Sequence, residues 1–143
     1  MTTATVTTDI NIGDFKIPSN GQNMIMNYYA QKNNISVEFV IPEPLLSNQL
    51  ETLLWCHKNY KFKKIILCSI HQLPYDKKKF ENFLSKTGNV EFHFALEGLK
   101  GKGKLFLKNC HKEAKKFSEA RKIDSSQNNW IDFYNKFKKG HNY

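Results

Sequence analysis

The chain is expected to fold as one α/β domain built on a four-stranded parallel sheet of order 2-1-3-4, with two extra helices after it. Three observations predict this. Short apolar or β-branched runs alternate with stretches of helical period, giving β-α-β-α-β-α-β over about residues 3–99. Each link between strands is long enough for a crossover helix, the connection that parallel strands require. The run Lys64-Ile65-Ile66-Leu67-Cys68 is apolar on both faces, the habit of a central strand covered on both sides.

Thr3 to Thr8 is short and β-branched, with Val6 as its core residue, and reads as the first strand. Asp9 to Pro18 connects it to a helix. Ser19-Asn20-Gly21-Gln22 fits the S-x-x-Q capping box, with Ile25, Tyr28 and Tyr29 at i, i+3, i+4 behind it, so helix one should run to about Lys32. Ser36 to Ile41 is the second strand, closed by Pro42 and Pro44. Leu46, Leu50, Leu53 and Leu54 form a helical stripe, placing helix two over Leu45 to Lys58. After the central strand, Asp76 is the expected N-cap of helix three, Phe80, Phe83 and Leu84 its buried face, and Gly88 its stop.

Val90, Phe92, Phe94 and Leu96 alternate with Glu91, His93 and Ala95, one face apolar and one mixed, which suits an edge strand. Gly98 to Gly103 reads as a flexible basic loop, lacking the full G-x-x-x-x-G-K-[ST] phosphate-loop pattern. Leu107, Cys110, Ala114, Phe117 and Arg121 then mark a long basic helix from Lys104 to Lys122. Ser125-Ser126-Gln127 breaks it. Trp130, Phe133 and Phe137 mark a last short helix, with a frayed end over 138–143. The whole, residues 1–143, is one domain: a core over 3–99 and a basic helical extension over 104–139.

Composition narrows the function classes. No apolar run approaches the roughly 20 residues of a membrane span, and MTTATVTTDI lacks the form of a signal peptide, so a cytoplasmic protein is expected. Three cysteines without a C-x-x-C argue against a disulfide framework. Cys68 is expected to be inert core. The dipeptides Cys56-His57 and Cys110-His111 do not have zinc-ligand spacing, and no metal or cofactor is expected.

The net charge of +9 is uneven: −2 over residues 1–60, +3 over 61–99 and +8 over 100–143. Such a tail can attract phosphate, nucleic acid or acidic lipid. However, lysine outnumbers arginine 21 to one, which reads as compositional bias and solvated helix faces.

Open α/β sheets bind ligands outside the carboxyl ends of their strands, at the point where strand order reverses. In the flavodoxin-like order expected here, that rim collects Thr7 to Asp9, Pro42-Glu43, Ser69 to Gln72 and Glu97. Helix one begins at the same rim, and its free N–H groups favour an anion. The candidate binding residues are therefore Gln22, Asn23, Ser69 and Gln72. The candidate catalytic residues are Glu97 and His71, a carboxylate and an imidazole that can each move a proton. Gln22 has a competing role as the third residue of its own capping box. Ser69 reads as a rim donor rather than a nucleophile activated by His71. His93 reads as a residue bonded to a helix, and Trp55, Tyr28 and Tyr29 as core.

The segments IPSNGQNMIMNYYAQKN, SIHQLP and VEFHFALEGL resemble, in order and spacing, the sporadic carbohydrate cluster protein family over about residues 17–99. These are small bacterial proteins encoded among surface-polysaccharide genes. Where that family opens with an aromatic strand running into Ser-Arg, this chain has Val6-Thr7-Thr8-Asp9. The layout is also similar to the serine recombinase catalytic domain, a resolvase-like order. Strand exchange by that domain depends on several arginines to hold the phosphate, and Arg121 is the only arginine here.

The first resemblance implies an accessory role in lipopolysaccharide or capsule biosynthesis, binding or modifying a sugar phosphate or nucleotide-activated sugar. The alternative is a non-catalytic scaffold that recruits a partner enzyme through the basic C-terminal helices. A sequence-specific nucleic-acid partner is not expected, an RNA-binding reading rests on charge alone, and self-association is compatible with either function.

Overall fold

Five strands form one mixed sheet in the computed structural model, which describes residues 2–8, 16–43 and 50–119. In chain order the elements are β1 (Thr3–Thr7), α1 (Ser19–Lys32), β2 (Phe39–Pro42), α2 (Glu51–Tyr60), β3 (Lys64–Leu67), α3 (Lys77–Lys86), β4 (Glu91–Phe94) and β5 (Leu99–Lys102). A 3₁₀ turn, Ile70–Gln72, follows β3. Residues 104–119 are helical and are called α4.

The strand order is β2-β1-β3-β4-β5. The first four strands are parallel and ordered as expected, with β3 central and Ile65 to Cys68 wholly buried. The fifth strand is a correction. Leu99–Lys102 pairs antiparallel with β4, Glu91 opposite Lys102 and Phe94 opposite Leu99. The segment expected to be a flexible loop is therefore an edge strand, and β4, expected at the edge, is internal.

The physical cause is the turn at 95–98. Gly98 takes a φ of 65°, a left-handed conformation that glycine adopts without steric cost, and the chain reverses there. An edge strand carrying lysines looks like a loop in sequence, because exposed edges are protected by charge rather than marked by apolar alternation. Gly101 fits for a second reason. A Cβ at that position would sit 2.4 Å from the Phe106 ring, so α4 can close over β5 only above glycine.

Strand alternation sorts the core into two layers. On one face, Ala4, Val6, Ile65, Leu67, Phe92 and Phe94 meet Leu53 and Leu54 of α2, Phe80, Phe83 and Leu84 of α3, and Leu107 and Cys110 of α4. On the other, Ile66 and Cys68 meet Met26 and Ala30 of α1. The first layer holds the large rings, each worth about 1.5–3 kcal/mol on burial, and provides most of the apolar driving force.

Helix starts follow the expectations unevenly. Asp76 caps α3 by accepting from the Lys79 N–H at 3.2 Å. The described helix α2 begins at Glu51, after a left-handed Leu50; the expected start at Leu45 falls within 44–49, outside the described residues. Glu43 provides its cap from a distance, accepting from the N–H groups of Thr52 (3.2 Å) and Leu53 (2.8 Å), where the helix dipole favours a carboxylate. The capping box expected at Ser19–Gln22 does not form, because Pro18 is the N-cap and no side chain caps the helix. Trp55 and Tyr28, expected in the core, are 64% and 66% exposed. The helical stripe at their positions is narrower than the sequence suggests. The expected last helix around Trp130, Phe133 and Phe137, with the break before it, lies outside the described residues.

Candidate functional site

The carboxyl edge of the sheet brings most of the sequence-predicted residues together. Ser69 leaves β3 with extended backbone and caps the 3₁₀ turn: its Oγ accepts from the His71 N–H (3.2 Å), and Gln72 Oε1 accepts in return from the Ser69 N–H (3.1 Å). This is a reciprocal capping box, formed by the second S-x-x-Q of the chain, Ser69-Ile70-His71-Gln72. The same tetrad was legible in the sequence and carried the signal for this turn.

Gln72 is wholly buried, against the expectation of an exposed rim position. Its Oε1 also accepts from the Cys68 N–H at 2.6 Å, and its Nε2 donates to Thr8 Oγ1 (3.0 Å) and Gln22 Oε1 (3.2 Å). Gln22, equally buried, accepts from the Thr8 N–H (3.0 Å) and donates to the carbonyls of Thr8 (2.6 Å) and Ile17 (2.8 Å). Each amide thus uses both hydrogens and both lone pairs inside the protein, its full capacity. The two glutamines form a clasp that joins β1, α1 and the β3 exit. Sequence reasoning placed them correctly in space but expected them to face a ligand.

Glu97, in the turn between β4 and β5, is exposed yet anchored. Its Oε2 accepts from Ser69 Oγ at 2.7 Å and its Oε1 from the Ile70 N–H at 2.9 Å. The Ser69 proton is directed to this carboxylate, and Ser69 is wholly buried, so the hydroxyl positions Glu97 and is not presented as a nucleophile. Asn23 is half-buried at the start of the second turn of α1. The His71 ring lies against Phe117 of α4, centroids 4.9 Å apart, and Lys115 of the same helix stands over the Tyr75 ring. The end of α4 therefore reaches the rim, a contact no sequence signal indicated.

The thiols nearby are poor nucleophiles at neutral pH. Burial, then the Glu97 charge, pushes Cys68 up to about 12 and Cys110 up to about 11. Neither Cys-His dipeptide directs both members at one point. His57 Nδ1 accepts from the Phe62 N–H. His111 stacks on Phe80 at 3.8 Å with its Nε2 2.9 Å from the Pro74 carbonyl, and burial holds its pKa below the ordinary imidazole value.

His93 behaves as the sequence suggested. Buried on the α1 face, it bridges Tyr29 Oη (2.8 Å from Nδ1) and Glu91 Oε2 (3.0 Å from Nε2). That hydrogen bond is the first cause of a lowered Glu91 pKa, while burial raises that of Tyr29.

The sheet order β2-β1-β3-β4-β5 resembles that of resolvase-like folds, and solved serine recombinase domains are similar to this chain in fold. A resolvase-family site-specific recombinase from Streptococcus pneumoniae superposes with a TM-score of 0.55 at 12% identity, over 94% of this chain and 99% of that one. The N-terminal catalytic domain of TP901-1 integrase does so with a TM-score of 0.55 at 12% identity, over 90% and 99% of the two chains. Likeness at this identity concerns the fold and not the chemistry. No family model matches the sequence, and no curated protein matches it. The resemblance to the sporadic carbohydrate cluster family rests on the quoted segments alone. Among the described residues, no helix is long and apolar enough to cross a membrane.

Proposed function

We propose that this protein is a cytoplasmic accessory protein of bacterial surface-polysaccharide synthesis that takes a sugar phosphate or nucleotide-activated sugar at the carboxyl rim. The observation that carries the reading is Glu97: an exposed carboxylate at the carboxyl edge of the sheet, fixed to the β3 exit by Ser69 Oγ and the Ile70 N–H. A carboxylate held by two donors keeps lone pairs for sugar hydroxyls, since it has about four acceptor sites. In this reading Lys115, over the Tyr75 ring, is the cation that meets the phosphate, and His71, packed on Phe117, is the group that moves a proton. In this reading Gln22 and Gln72 hold the frame, and Asn23 faces the ligand from the helix start.

Thermal unfolding with glucose 1-phosphate tests the reading. A bound ligand at a hundredfold excess over Kd should stabilise the protein by about 2.7 kcal/mol. Glu97→Gln should keep the fold and abolish that shift. Absence of any shift, or full retention of it in the variant, overturns the proposal.

A scaffold role has one specific observation in its favour: α4 presents Leu105, 75% exposed, beside a surface of Lys108, Lys112, Lys115 and Lys116. A partner enzyme that co-purifies with the parent chain and is lost on Leu105→Asp would support it over the rim reading.

A further inference from the structure

On the opposite side of the molecule from α1, helices α2 and α3 flank an open cavity of about 680 Å³. Trp55 contributes an indole that is 64% exposed, although tryptophan is a residue that folding normally covers. Lys58 and Lys61 come from the end of α2 and Lys86 from the end of α3, with Asn82 one turn before it. Among the described residues, none of the three lysines is in an ion pair.

Trp55 and Lys58 are three residues apart on one helix and so share a face. His57 adds a neutral donor. Its Nδ1 accepts from the Phe62 N–H, which places the ring proton on Nε2, and burial keeps the ring below its ordinary pKa.

We propose that this cavity is a binding site for a nucleotide unit, with the base stacked on Trp55, its edge met by Asn82, and the phosphate on Lys58, Lys61 and Lys86. A flat aromatic face is matched by the indole, and a ligand with negative charge by three lysines, which outnumber Glu51, the one acid in the lining. A saturated sugar phosphate would use the lysines and leave the indole without a stacking partner. The site runs toward the amino ends of the strands, where α2 and α3 finish, whereas the rim of Glu97 lies at the carboxyl ends. The two sites therefore stand or fall separately. The nucleotide unit can be free or part of a single strand, since the recognition chemistry is shared.

The experiment uses the full chain carrying Trp130→Phe, so that Trp55 is the sole tryptophan. Titration with ADP, UDP or a short oligothymidylate should quench its fluorescence, and glucose 1-phosphate should not. Replacing Lys58, Lys61 and Lys86 together by Gln should weaken the quenching titration about tenfold or more and flatten its salt dependence, because phosphate contacts act through counterion release. Circular dichroism confirms that the exposed substitutions leave the fold unchanged. Tighter binding of the oligonucleotide than of the mononucleotides assigns the site to a strand, and equal binding to the free nucleotide. Quenching that is absent, that persists unchanged in the triple-lysine variant, or that is lost in Glu97→Gln overturns the proposal.

Discussion

The chain contains the tetrad S-x-x-Q twice, and the two copies fold differently. At Ser69–Gln72 both halves of the capping box close on themselves around a 3₁₀ turn. At Ser19–Gln22 the preceding Pro18 takes the N-cap position, no side chain caps the helix, and Gln22 turns away to hold the end of β1. The pattern is local, but its outcome is decided by what lies within reach of the glutamine amide. Gln22 meets a strand end whose N–H and C=O have no partner in the sheet. Buried backbone groups of that kind must be paired, and that demand outcompetes a cap the helix can forgo. The two glutamines then meet each other at 3.2 Å, so two similar tetrads converge on one buried clasp.

The largest test of this comparison is Gln72→Leu. The change is close in volume but strands the buried N–H groups of Cys68 and Ser69, so a loss of about 4 kcal/mol is expected in chemical denaturation, from about 1–3 kcal/mol per unpaired group. A loss below about 1 kcal/mol, the value for an ordinary surface site, would return Gln72 to the exposed rim. Gln22→Leu should come next, at about 3 kcal/mol, because Thr8 loses both backbone partners. If its cost were no more than that of a lost helix cap, about 1 kcal/mol, the clasp would not hold in solution.

Ser69→Ala should cost about 1.5 kcal/mol, the lower end for a hydrogen bond to a charged group, and should leave Glu97 held by the Ile70 N–H alone. The informative readout is the double variant with Glu97→Gln. Its cost should fall short of the sum of the single costs, since neighbours in one network are not additive. Strict additivity would separate the pair. The smallest effect is expected for Ser19→Ala, under about 0.5 kcal/mol as for a surface change. A cost near 1 kcal/mol there would mean that the first tetrad caps its helix after all.

Much of the fold was legible in the sequence because it depends on local pattern. The buried run Ile65 to Cys68, the stripe Phe80, Phe83 and Leu84, and the cap at Asp76 each declare themselves within a few residues. Parallel strands follow from the alternation of elements and the handedness of crossovers, and the order 2-1-3-4 is one of those they permit. The gathering of Thr8, Gln22, Ser69, Gln72 and Glu97 at one rim followed from that order. What the sequence could not show was which of those polar groups face inward, because burial is a property of the neighbours and not of the residue. Gln72 and Trp55 exchange their expected places for that reason: the amide finds partners for all its hydrogen bonds in the interior, while the indole finds no facing surface. The fifth strand was hidden likewise, since a Lys- and Gly-rich edge carries no apolar alternation. Its pairing was decided by a reversal at Gly98 and by the space above Gly101 that admits Phe106. Local periodicity determined the elements and their order; long-range partners for polar atoms, which no window of sequence contains, decided which residues became frame and which remained free to meet a ligand.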